Sequence, residues 1–162
     1  MELQYTKLAK SCINDLIDDA ADNIKKLQRL ISDYKIVFEG PLNMGTYMTT
    51  TPNGNGLRKD TGVYQIVYRP TKVIYYVGKG VISGRKNKHQ MIFNNKGKPL
   101  NWNRTVTDSQ VARKMYDKDS DLSNWDFWFT RIPESDIMTT FEEVLINRIE
   151  PEFNKLSMAG KG

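Results

Sequence analysis

Two stretches rich in Val, Ile and Tyr, residues 62–69 and 72–78, flank the dipeptide Pro70-Thr71. Such residues favour extended backbone and a Pro-containing pair breaks it, so the pattern predicts an antiparallel hairpin. A lone hairpin is marginal in water and needs more strands or a covering helix. The segments downstream can supply both. Residues 82–93 read as a helix, with Gly97-Lys98-Pro99 as a break beyond it. Residues 108–118 read as a second helix, capped by Thr107 or Asp108. Trp125, Phe127 and Phe129 alternate with Asp126 and Trp128, which predicts a third strand ending at Pro133. Ser135 or Asp136 can cap a last helix that Pro151 stops. The expected fold is α+β: a three-stranded antiparallel sheet flanked by helices, in the order β-β-α-α-β-α.

Upstream, Leu8, Ile13, Leu16, Ile17, Ala20, Ile24, Leu27 and Ile31 recur at helical spacing. They predict a long amphipathic helix from about Lys7 to Ser32. Its apolar stripe either packs on its own domain or pairs with a second copy, making a homo-oligomer. Residues 40–56, rich in Gly, Pro, Thr and Asn, read as an irregular connection. The expected division is therefore an extension with a linker (1–56), a main domain (57–157) and a short tail (158–162).

The chain has 162 residues, enough for one domain with a real core, and 39% of them are hydrophobic against 27% charged. Cys12 and His89 are the single cysteine and the single histidine, which excludes an intrachain disulfide and a Cys/His structural zinc site. The first ten residues lack the apolar core of a secretory signal, and the densest apolar run, Val73 to Val77, is too short for a bilayer. The expectation is a soluble, cytoplasmic protein with no membrane partner.

Net charge is only +5, but it is uneven. Between Arg69 and Lys114 stand eleven cations, and Asp108 is the one acid among them. Such a block attracts phosphate backbones, or it is simply a solvated basic face.

Tyr64 and Tyr76 are ordinary strand residues when read singly, and a lone histidine is more often structural than catalytic. Their neighbours sharpen the case. Arg85 and His89, four apart, share one helix face with Ile82, Ile92 and Phe93 nearby. On the last helix Glu142 shares a face with Met138, Leu145, Ile146 and Ile149, whereas Glu143 falls with Asp136, Thr139, Thr140, Asn147 and Glu150. A carboxylate on an apolar face is costly unless a cation or donors compensate it, and a metal ion or Arg85 would do so.

These residues carry a resemblance. Gly62-Val63-Tyr64 followed by Tyr76-Val77-Gly78 resembles the paired tripeptides of the GIY-YIG nucleases. That family expects an arginine a short loop later with His or Tyr four residues on, which Arg85 and His89 match, Lys86 being the alternative arginine position. It then expects Glu, two residues, Leu-Ile, four residues, Pro, two residues, Asn. Glu142, Leu145, Ile146, Pro151 and Asn154 reproduce that spacing. The loop between Gly78 and Arg85 is one residue shorter than the usual spacing, and Val stands for Ile in both tripeptides.

The resemblance spans about Leu57 to Lys155 and implies a DNA endonuclease with one divalent cation, Mg²⁺ or Mn²⁺, at Glu142. In that reading Tyr64, Tyr76, Arg85, His89, Glu142 and Asn154 form the active site. Arg85 clamps a phosphate oxygen and stabilises charge in the transition state. Tyr64 or His89 takes the proton from the attacking water; lowering a phenol from about 10 to pH 7 costs about 4 kcal/mol, which Lys79 and Arg85 could supply. Tyr76 positions water or phosphate, and Asn154 holds the loop after the last helix. Double-stranded DNA is the expected partner, with Lys79, Lys86, Lys88, Lys96, Lys98, Arg104, Arg113 and Lys114 as contacts. With few residues past Asn154, the expectation is a stand-alone phage, mobile-element or restriction nuclease. The competing expectation is a non-catalytic nucleic-acid-binding module on the same fold.

Overall fold

A computed structural model describes residues 18–26, 37–46, 60–96 and 107–156. The chain divides into two compact units, Met1–Ile36 and Val37–Gly162. In the first, residues 18–26 form helix α1 and carry Ala20 and Ile24 of the expected stripe. The remainder of the expected 7–32 helix lies outside the described residues.

The second unit contains β1 (Glu39–Asn43), β2 (Thr61–Tyr68), β3 (Val73–Val81), α2 (Ile82–Asn94), α3 (Thr107–Lys118), β4 (Trp125–Arg131) and α4 (Ser135–Ile149). Short 3-10 turns at Leu122–Asn124 and Asn154–Leu156 complete it. The class is α+β, but the sheet has four antiparallel strands, in the order β1-β4-β2-β3, rather than three. The added strand, β1, lies in what reads as an irregular linker. Glu-Gly-Pro-Leu-Asn has neither alternation nor β propensity; its pairing is induced by β4, against which its register shifts between Glu39 and Leu42. Pro41 is tolerated because β1 is an edge strand. Just beyond, buried Met44 donates its N–H to the Trp125 carbonyl at 3.0 Å. The second unit thus starts at Val37, ahead of the boundary expected near Leu57.

β2 lies between β4 and β3, and every residue from Gly62 to Val67 is buried. A strand with neighbours on both edges and cover on both faces reads as one apolar run. Tyr64 and Ile66 join a core with Phe127, Phe129 and Trp125 from the sheet, Met44 from the turn after β1, and Ile82, Ile92, Phe93, Val111, Ala112 and Met115 from α2 and α3. Outside that cluster Val63, Val77, Ile132, Ile137, Met138 and Phe141 are also buried, and α4 packs against β3 and β2.

Two features set the surroundings of β3, a bulge within it and a segment along its outer edge. Ile66 pairs with Tyr76 and Val67 with Ile74, so Tyr75 is an extra residue in the ladder. Such a bulge re-aims the side chains beside it, and Tyr75 and Tyr76 both pack on the main core. The outer edge of β3 is covered by the segment after α4. Phe153 donates its N–H to the Tyr75 carbonyl at 2.9 Å, and the Asn154 amide binds both the N–H and the carbonyl of Val77 at 2.9 and 2.8 Å. An open strand edge is a liability, and this segment closes it.

The N-cap of α4 is Glu134, without a side-chain capping bond; neither Ser135 nor Asp136 serves as the expected cap. Both lie inside the first turn, where Asp136 still complements the helix dipole. At the other end Glu150 turns to φ 49° ahead of Pro151. Among the described residues no helix is long and apolar enough to cross a membrane.

Candidate active site

The side chains singled out by sequence converge on five consecutive residues of β3, Tyr76 to Gly80. Each has its own connection. Tyr76 belongs to a three-ring group with Tyr64 and His89, the centroids 6.0 Å (Tyr64–Tyr76), 5.7 Å (Tyr64–His89) and 5.8 Å (Tyr76–His89) apart. Val77 holds Asn154 through the two amide bonds that close the strand edge. Gly78 stands opposite Tyr64, and a Cβ there would come within 2.6 Å of the Tyr64 Oη. Lys79 forms an ion pair with Glu142, Nζ to Oε2 2.9 Å. Gly80, at φ 135°, leaves room for Arg85, whose Nε would be 2.7 Å from an added Cβ.

Tyr64 and His89 are joined directly. The Tyr64 Oη lies 2.9 Å from His89 Nε2, with Tyr64 1% exposed and His89 fully buried. The Tyr64 ring stacks on Phe127 at 4.9 Å, which fixes its position in the sheet. A phenol and an imidazole at this distance share one proton between two possible carriers. Tyr76, Arg85, Lys79 and Glu142 are more open. The site therefore has a closed half, the Tyr64–His89 pair, and a solvent-facing half of opposite charges.

On α4, Glu142 is half-buried and Glu143 exposed, as helical spacing requires. The cation that compensates Glu142 is Lys79, not Arg85. Lys79 also donates to the Thr139 hydroxyl at 3.0 Å, and Thr139 donates to the Ser135 carbonyl at 2.8 Å. Thr139 precedes Glu142 by three residues, so one helix face presents both partners of the ammonium.

The expected DNA contacts separate in the structure. Lys86 is 1% exposed and donates to the Thr46 carbonyl, while Gln90, one turn on, donates to the Gly45 carbonyl at 3.1 Å. A buried ammonium does not belong to an outer basic face, so Lys86 is a clamp on the turn after β1. Burial pushes its pKa from 10.5 down to about 8. Lys79 is committed to Glu142, Arg113 pairs with Asp117 at 3.6 Å, and Lys114 lies over the Phe153 ring at 5.9 Å. Lys88 is half-buried and Lys96 exposed. Lys98 and Arg104 lie outside the described residues. Arg69, the first cation of the block, is neutralised by buried Asp126.

Gly80, Thr139 and Gln90 were not picked out by sequence reasoning. Gly80 had a signal, a second glycine two residues after Gly78. Spacing put Thr139 with Glu143 on the outer side of α4, whereas it is half-buried and shares Lys79 with Glu142. Gln90 had no signal, because its role depends on a contact between distant elements.

No family model, curated protein or solved structure matches the chain. Residue pattern and geometry are what bear on its chemistry.

Proposed function

We propose that the chain is a divalent-metal-dependent DNA endonuclease of the GIY-YIG type. The observation that carries this reading is the convergence on Tyr76–Gly80. Five adjacent strand residues engage Tyr64, Arg85, Glu142 and Asn154, residues that the motif pattern names from three separate stretches of sequence. A core built only for stability has no need to bring a half-buried carboxylate, a guanidinium and a phenol–imidazole pair to one strand.

The donor set fits a hydrated hard cation. Among the described residues no three His, Cys, Asp or Glu side chains group to form a metal cage. A single half-buried carboxylate, Glu142, suits Mg²⁺, which keeps several waters and takes other oxygens from substrate. When bound, such an ion supplies charge stabilisation at phosphorus and at the departing oxygen. The chain's own groups do the rest. Arg85, beside Gly80, offers its guanidinium to a non-bridging phosphate oxygen. Tyr76 donates its phenol to water or phosphate at the boundary of the closed half. Tyr64 and His89 form the proton-accepting pair, the stacked Phe127 ring holding Tyr64 in place. Asn154 keeps β3, and with it Tyr76, from moving.

A second reading has one observation in its favour. Tyr64 and His89 are closed to solvent and bonded to one another, and Glu142 is neutralised by Lys79, an arrangement also suited to a binding module without activity. Incubation with supercoiled plasmid, Mg²⁺ and an EDTA control separates the two. The nuclease reading expects nicked or linear product that disappears with EDTA and with Glu142→Gln. Retained DNA binding with intact plasmid under every metal tested would select the binding module.

A further inference from the structure

The Lys79–Glu142 pair has a consequence for how a metal ion reaches the site. Glu142 Oε2 already has a cation at 2.9 Å. That ammonium is not a loosely placed surface charge. It lies one bond from Thr139 Oγ1, whose own proton is directed to the Ser135 carbonyl, leaving an oxygen lone pair for Lys79. Side-chain exposure is 33% for Lys79 and 16% for Glu142, so water screens the pair only in part. Its root is also fixed: Lys79 pairs with Val63 on the central strand, next to Gly78 in the site.

A divalent ion on the same carboxylate would stand a few ångströms from this ammonium, and the two positive charges repel strongly where water is partly excluded. We infer that Lys79 is a resident counter-ion that keeps a divalent cation off Glu142 until a phosphate arrives. An incoming phosphodiester resolves the conflict from both sides. It gives the ammonium another anion to bind, and its non-bridging oxygens add ligands to the ion. Ion and phosphate then load together, and each raises the affinity of the other by the same factor. Free protein stays largely unmetallated, which confines hydrolytic chemistry to the substrate-bound state. This inference rests on the nuclease reading, in that it takes Glu142 as the metal ligand.

Mn²⁺ serves as the probe, its free concentration read from the solution EPR signal as full-length protein is added without DNA. Lys79→Met is expected to bind Mn²⁺ at least tenfold more tightly than wild type, whereas Lys79→Arg, which keeps the charge, is expected to bind as weakly as wild type. Circular dichroism verifies that each variant is folded; if Lys79→Met is not, Lys79→Gln takes its place with the same expectation. Equal or weaker binding by the folded, uncharged variant overturns the inference and leaves the nuclease reading in place. A double variant, Lys79→Met with Glu142→Gln, is expected to lose the gained affinity. If it binds as tightly as Lys79→Met alone, Glu142 is not the ligand, and the metal site itself falls with the gate.

Discussion

Replacing Lys86 by Met tests whether this lysine is a buried clamp or a DNA contact. The side chains are close in volume, so the core is little disturbed, while the charge is removed. In the folded protein the lysine pKa is about 8 against 10.5 for the ordinary group, a lowering caused by burial. Below pH 8 both folded and unfolded chains carry the proton, and the folded chain bears the full cost of the buried charge, about 3 kcal/mol. Between pH 8 and 10.5 the unfolded chain binds more protons than the folded one, so this penalty is relieved and stability rises with pH. For these two pKa values the gain between pH 7 and 9.5 is about 2 kcal/mol. Lys86→Met has no such term. The difference in unfolding free energy, wild type minus variant, is therefore expected to grow by about 2 kcal/mol over that interval. At pH 7 the absolute difference also depends on how the Thr46 carbonyl is satisfied once the ammonium is gone, so the slope is diagnostic and the absolute value is not. Urea denaturation followed by tryptophan fluorescence at several pH values measures it. A difference that stays flat across the interval would refute the burial of the charge. DNA affinity of the variant measured at neutral pH should match wild type, and a clear loss would return Lys86 to the outer basic face.

Other expectations concern the site itself. Glu142→Gln should abolish plasmid cleavage while filter binding of DNA persists, and exposed Glu143→Gln should change neither; equal effects would mean that the carboxylate in use has been misassigned. Gly78→Ala places a methyl 2.6 Å from the Tyr64 Oη, and a displacement on the order of 1 Å in the reacting groups lowers kcat by about 100-fold. Its turnover and melting temperature, measured together, should show the loss mainly in turnover if the shifted group is part of the chemistry. Asn154→Ala strips both bonds from the Val77 backbone, a cost of about 1–3 kcal/mol in guanidinium unfolding; an unchanged midpoint would mean that water replaces the amide without penalty.

Much of the fold was legible because it is local. The hairpin at Pro70-Thr71, the helices α2, α3 and α4 and the alternation in β4 all come from periodicity and breakers, and they appear within a few residues of where the pattern puts them. The exposure of Glu143 and the partial burial of Glu142 are set by spacing along one helix. What was not legible depends on partners far away in sequence. β1 has no strand signal of its own and pairs only because β4 offers an edge. α2 buries Lys86, His89 and Gln90 along with Ile82, Ile92 and Phe93, so it has no clean apolar stripe by which to tell the inward cation from the outward one. Of the adjacent pair Arg85 and Lys86, the cation expected at the surface is the buried clamp, while Arg85 is half-buried beside Gly80. Lys79 as the partner of Glu142 needed the position of α4 over β3, which no local pattern encodes.

The closure of the β3 edge by Phe153 and Asn154 has a consequence in time as well as in space. A chain emerging from a ribosome presents β2, β3 and α2, and with them Tyr64 and His89, before it presents residues 142–154. At that stage Lys79 has no carboxylate beside it and the backbone of Val77 faces water. Glu142 arrives with the last helix, and the lock on Val77 arrives later still. A chain interrupted before residue 142 would hold the tyrosines and the histidine but would lack both the carboxylate partner of Lys79 and the lock on Val77.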